Sequence, residues 1–88
     1  MMTGAEIIQR AKEQMTRLTG LKPDTASGLS RDEEGWHVAV ELIEAKRIPD
    51  ADDVLGTYET VLDDEGSLLR YQRTKRYLRG EVWEASRR

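Results

Sequence analysis

At 88 residues the chain has room for one thin-cored domain, because a domain of this size buries only roughly 60–65% of the surface its unfolded form exposes. Cysteine is absent, which excludes disulfides and thiolate metal sites; no apolar run suffices for a signal-peptide core or a membrane span, so the expected compartment is the cytoplasm. The net charge of −3 hides an asymmetry: residues 24–69 carry thirteen acidic and three basic side chains, residues 70–88 seven basic and two acidic ones. Opposed blocks pair within a fold or face different partners, and their position on neighbouring strands favours pairing.

The first element is an amphipathic helix over about residues 4–19. Thr3-Gly4-Ala5-Glu6 fits a capping box, in which hydroxyl and carboxylate each satisfy an orphan backbone N–H. Ile7, Ile8, Ala11, Met15 and Leu18 recur at helical spacing as a core stripe. Glu6–Arg10 and Glu13–Arg17 are spaced for ion pairs on the wet face. Gly20 supplies a left-handed stop and Pro23 prevents continuation.

After Pro23 the period changes. Thr25 to Ser30 is a short, weak strand candidate, interrupted by Gly28. Arg31 to Gly35 reads as a hairpin loop, with Gly35 in the left-handed position. Trp36, Val38, Val40 and Leu42 alternate with His37, Ala39, Glu41 and Ile43, the mark of a half-buried strand whose first set faces the helix.

Residues 44–53 break the pattern around Pro49, which lacks a ladder donor and biases Ile48 toward extended backbone. A strand follows over Val54–Leu62, then an acidic turn, Asp63 to Gly66. The last strand runs from Leu68 to about Arg79, with strict alternation placing Leu69, Tyr71, Arg73, Lys75 and Tyr77 on one face. The expected fold is α+β: one N-terminal amphipathic helix packed on a mostly antiparallel sheet of three to four strands, within a single domain at 1–80, with a polar tail at 81–88.

No catalytic, cofactor-binding or metal-binding residues are expected. Nucleophilic catalysis needs an activated Ser, Cys, Thr or Lys beside a base. The one histidine, His37, reads as a partly exposed sheet residue, and Glu41 on the same face is about 13 Å away by strand rise. Asp50-Ala51-Asp52-Asp53 opens like a calcium loop but lacks the following glycine and the glutamate at position twelve. All glycines are isolated, which excludes P-loop and dinucleotide fingerprints.

The last strand alone invites a functional reading. Arg70, Tyr71, Arg73, Lys75, Arg76, Tyr77 and Arg79 interleave cations with aromatics, as a single-stranded nucleic-acid platform does. The competing reading pairs these cations across the sheet with Glu41, Glu44 and Glu59. A net acidic domain has weak backbone affinity for nucleic acid, so a nucleic-acid-binding regulator is the alternative function.

The run Trp36 to Glu44, followed by Arg47-Ile48-Pro49-Asp50 and Asp53-Val54-Leu55-Gly56-Thr57-Tyr58-Glu59, resembles the gas vesicle protein O family. The likeness continues through Asp64-Glu65-Gly66, Tyr71, Arg73 and Arg76-Tyr77-Leu78-Arg79, about half the chain. The resemblance implies a non-enzymatic accessory protein of gas vesicle formation, without cofactor. Its implied partners are other gas vesicle accessory proteins and the apolar shell protein, with no membrane contact. An exposed sheet edge also permits a homodimer. Tyr58, Tyr71, Arg73, Arg76 and Tyr77 are candidate partner contacts and equally candidates for cross-strand packing. Trp83 is a candidate docking anchor, and Arg47 and Asp50 are expected to pin the Pro49 loop.

Overall fold

Thr3 opens the helix as its spacing predicts. In the computed structural model, which describes residues 2–81, its hydroxyl accepts from Glu6 N at 3.2 Å while Glu6 Oε1 accepts from Thr3 N at 2.8 Å. Helix α1 spans Gly4–Thr19 and stops at Gly20, whose φ is 75°. Four strands follow: β1 (Lys22–Asp32), β2 (Gly35–Ala45), β3 (Val54–Leu62) and β4 (Leu68–Leu78), with a short 3-10 turn at Asp50–Asp52. They form one sheet in the order β1-β2-β3-β4, every pair antiparallel. The architecture is α+β as expected.

One face of the sheet carries α1. Ile7, Ala11 and Met15 are fully buried and form the core with Val38, Val40 and Leu42 of β2 and Tyr58 and Leu62 of β3. Each fully buried aliphatic side chain there contributes roughly 1.5–3 kcal/mol. Leu18 departs from the expected stripe: it is exposed on the last turn, and Leu21, returned by the Gly20 stop, packs against the core instead. Neither spaced pair on the wet face forms an ion pair among the described residues. The Glu6 carboxylate is held by the cap, and Glu13 accepts from Gln9 at 3.4 Å.

β1 is longer than its sequence suggests, because as an edge strand it has little apolar alternation to show. Its ladder opposite β2 slips at Asp24 and Ser27. Gly35 ends the first hairpin at φ 140°, where a Cβ would stand 2.3 Å from the Leu62 carbonyl oxygen. Asp63 Oδ1 closes the second hairpin by accepting from Glu65 N and Ser67 N, each at 2.9 Å.

β4 corrects the strict alternation. Its pairing with β3 slips once at Leu69 and again at Thr74, so each is an extra residue in the strand. The second bulge inverts the faces beyond it. Tyr71 and Arg73 therefore share the α1 side with Arg76, opposite Thr60, Tyr58 and Gly56, whereas Lys75 and Tyr77 stand opposite Thr57 and Leu55 on the other face.

Candidate functional site

At the end of the α1-side face, one carboxylate gathers three of the sequence-predicted contact residues. Glu44 Oε2 accepts from the Tyr58 hydroxyl at 2.7 Å, with Arg73 Nε at 3.6 Å; Glu44 Oε1 has Arg76 Nε at 3.4 Å. The Tyr71 ring lies 6.5 Å from that of Tyr58, tilted 42°. Tyr58 is itself core, 9% exposed, and burial followed by the Glu44 carboxylate pushes its hydroxyl pKa up. What faces solvent is the trio Tyr71, Arg73 and Arg76.

Tyr77 belongs to the opposite face, away from α1. There Glu41, only 5% exposed, collects hydroxyls from three other strands: Ser27 at 2.6 Å, Thr57 at 2.7 Å and Tyr77 at 2.5 Å. A buried carboxylate is tolerated when its lone pairs are filled in this way. Burial, and then Glu41, raises the Tyr77 hydroxyl pKa well above its ordinary value, and Lys75 Nζ sits 5.2 Å from the ring centroid. Nearer the first hairpin, Gly28 stands opposite Ala39 and, with Val61, floors a shallow concavity edged by His37, Glu59 and Arg70.

His37 is half-buried there and better partnered than the strand rise suggested. Its Nε2 lies 2.8 Å from Asp32 Oδ1 and 3.6 Å from Glu34 Oε1 across the hairpin turn. Hydrogen bonding to His37 is the main cause that holds the Asp32 carboxyl below the usual carboxylate range. Asp32 Oδ1 also accepts from Glu34 N at 2.9 Å, and Glu34 Oε2 accepts from Arg70 at 2.5 Å. Ser30 stands opposite His37 in the ladder, yet no hydrogen bond joins it to the ring among the described residues. The arrangement orients an imidazole without activating a hydroxyl.

The basic last strand is largely engaged with the acidic middle of the chain. Arg70 pairs with Glu34, Arg73 and Arg76 with Glu44, and Arg79 with Asp24 and Asp53. Of the three carboxylates the sequence offered for this, only Glu44 takes cations; Glu41 takes hydroxyls, and Glu59 has no ion pair among the described residues. Exposed pairs of this kind contribute about 0–1 kcal/mol each, so their main effect is on where positive charge remains available. Trp83 lies outside the described residues.

Asp53 organises the β2–β3 loop. Its side chain is fully buried and accepts from Arg47 N at 2.8 Å, Lys46 Nζ at 2.9 Å and Arg79 Nη2 at 3.3 Å. The Arg47 N–H, then Lys46, holds its carboxyl below the usual range. Sequence reasoning named Arg47 and Asp50 as the pins. Asp50 does accept from Lys46 at 3.1 Å, but Arg47 contributes its backbone N–H and the central anchor is Asp53.

The run from Glu44 to Glu59 thus builds two anchors, Glu44 and Asp53, at one end of the sheet. The family model described as gas vesicle synthesis protein GvpO matches residues 1–83. The chain belongs to the GvpO family.

Its likeness to curated members agrees. It is 39% identical over 74 residues to gas vesicle protein O of Streptomyces sp. (strain CB03234), covering 84% of this chain and 58% of that protein. To gas vesicle protein O of Haloferax mediterranei it is 39% identical over 64 residues, covering 73% and 42%. To gas vesicle protein O1 of Halobacterium salinarum it is 40% identical over 53 residues, covering 60% and 44%. The chain spans about half the length of the curated relatives it matches. No solved structure matches it. Membership of a gas vesicle synthesis family supports a role in gas vesicle formation. Among the described residues of this GvpO-family chain, no helix is long and apolar enough to cross a membrane.

Proposed function

We propose that this chain is a non-enzymatic accessory protein of gas vesicle formation that works by protein–protein contact during shell assembly. Its partners are other gas vesicle accessory proteins, with the shell protein as a further one. A shell subunit with a strongly apolar face aggregates before assembly unless something covers it or concentrates its partners. The observation that carries the mechanism is the state of β4. Arg70 pairs with Glu34, Arg73 and Arg76 share Glu44, and Arg79, just past the end of β4, pairs with Asp24 and Asp53, which interrupts the positive track that a nucleic-acid strand follows. Tyr71, Arg73 and Arg76, backed by Glu44 and Tyr58, remain as a mixed aromatic and cationic surface of the kind enriched where proteins meet.

The test is co-purification of the tagged chain with the gas vesicle proteins of a vesicle-forming host, with and without nuclease. The assembly reading expects the same gas vesicle proteins in both samples. Loss of every partner after nuclease would overturn it in favour of the nucleic-acid alternative.

A further inference from the structure

Three side chains of two chemical kinds converge at the first hairpin. Asp32 ends β1, Glu34 lies in the turn and His37 stands in β2, and one donor atom from each lies within 4.8 Å of the other two. His37 Nε2 is the centre, with Asp32 Oδ1 at 2.8 Å and Glu34 Oε1 at 3.6 Å. The spacing of positions 32, 34 and 37 matches no helical or finger-type ligand pattern, which is why sequence reasoning expects no metal ligand here. Only the turn at Gly35 brings the three together.

Hydrogen bonding alone leaves this cluster incomplete. A ring nitrogen carries at most one proton, and Asp32 lies where that proton points. Glu34 Oε1 faces the same nitrogen from beyond hydrogen-bond reach, accepts no hydrogen bond among the described residues, and meets the like charge of Asp32. A divalent cation in place of the proton bonds all three. Zn²⁺ takes imidazole nitrogen and carboxylate oxygen at about 2.0–2.2 Å, which sets neighbouring donors roughly 2.9–3.5 Å apart. The two separations from His37, 2.8 and 3.6 Å, bracket that range. Both carboxylates are exposed, so a small side-chain rotation closes the remaining gap. The surrounding contacts suit the role, since partners of this kind orient metal ligands. Asp32 Oδ1 accepts from Glu34 N, and Glu34 Oε2 accepts from Arg70, which leaves Oε1 turned to His37. Arg31 is engaged elsewhere, with Asp64 at 2.6 Å and over the Trp36 ring.

We propose that Asp32, Glu34 and His37 form a site for one divalent transition-metal ion, Zn²⁺ by its donor set, with a fourth position open to water. The site does not depend on the assembly reading. It lies at the first hairpin, and His37 stands on the face away from α1, whereas Tyr71, Arg73 and Arg76 share the α1 side. Mg²⁺ and Ca²⁺ favour sets made of oxygen alone, so the imidazole selects against them.

The experiment titrates Zn²⁺ into the untagged full chain, cleared of metal with a chelator, while NMR follows the His37 ring. His37 is the only histidine, so its signals need no assignment. One ion per chain should saturate the change, Nε2 should shift more than Nδ1, and an excess of Mg²⁺ should not reverse it. Calorimetry then compares wild type, His37→Ala, Glu34→Gln and Asp52→Asn, with a melting curve for each. Outer contacts of a metal ligand alone are worth roughly 10–100-fold in affinity, so His37→Ala and Glu34→Gln should each weaken binding by at least about tenfold. Glu34 is exposed in the turn, so Glu34→Gln decides the matter even where His37→Ala lowers stability. Asp52→Asn, in the other acidic loop, should bind like wild type. Absence of saturation below about 1 mM Zn²⁺ overturns the site, as does equal affinity in wild type and His37→Ala. Weakening by Asp52→Asn without weakening by Glu34→Gln would place the ion in the Asp50–Asp53 loop and overturn it as well.

Discussion

The Arg79 guanidinium lies 3.3 Å from the fully buried Asp53 carboxylate and 3.2 Å from Asp24, so one side chain ties the end of β4 to the β2–β3 loop and to the start of β1. Three segments distant in sequence meet at these residues.

Asp53→Ala should be among the most destabilising polar substitutions in the chain. It leaves the Arg47 N–H without its acceptor and removes the shared partner of Lys46 and Arg79. A loss in melting temperature of roughly 5–15 °C is expected for a domain of this size. Thermal denaturation followed by circular dichroism checks it, and a melting point equal to wild type would show that the junction is not needed for the fold.

Acid should weaken the fold through the same group. Hydrogen bonds hold the Asp53 and Asp32 carboxyls below their ordinary value of 3.8. A folded pKa below the unfolded one gives stability that is present above the unfolded value and disappears as pH falls through the lowered one. Urea midpoints should therefore hold steady down to about pH 4 and decline below it. In Asp53→Asn the decline should be shallower, from a lower starting midpoint.

Alkali acts with the opposite sign. Burial, then Glu44 for Tyr58 and Glu41 for Tyr77, raises both hydroxyl pKa values above the ordinary 10.0. Their contribution is complete below about pH 10 and is lost as pH rises toward the raised folded values. Absorbance at 295 nm should show two tyrosines resisting ionisation until the chain unfolds. Tyr77→Phe should remove one of them, and ionisation of Tyr58 and Tyr77 near pH 10 in the folded chain would contradict the hydrogen bonds to Glu44 and Glu41.

Two glycines should respond differently to alanine. Gly35→Ala places a Cβ against the Leu62 carbonyl at a positive φ, and should cost more than about 2 kcal/mol. Gly28→Ala meets only the Ala39 methyl at 3.5 Å, an ordinary contact, and should stay within about 1 kcal/mol of wild type. Chemical denaturation of the two variants side by side provides the comparison.

The elements that local chemistry specifies were legible in the chain. The Thr3–Glu6 capping box and the Gly20 stop lie within a few residues of what they bound, so α1 runs from Gly4 to Thr19 as its spacing predicts. Val38, Val40 and Leu42 face the helix because a strand has a period of two and one of its faces is buried. The GvpO-like run from Glu44 to Glu59 was readable too, as residues without a geometry.

Pairing between distant segments decided the rest. The bulge at Thr74 exists only against β3, and it moves Arg76 to the side of Tyr71 and sends Tyr77 to the other face, which no alternation in β4 itself reveals. Glu41 meets hydroxyls from β1, β3 and β4 because the ladders bring four strands into register. Asp53 takes Arg47 N and Lys46 within its own loop, and reaches beyond that loop only through Arg79, 26 positions later. Sequence by itself determined where α1, β2 and β3 run and which family the chain resembles, since those rest on short-range pattern. Which side chains share a surface was left to the tertiary structure, because register and bulges are settled by cross-strand contacts that no single segment contains.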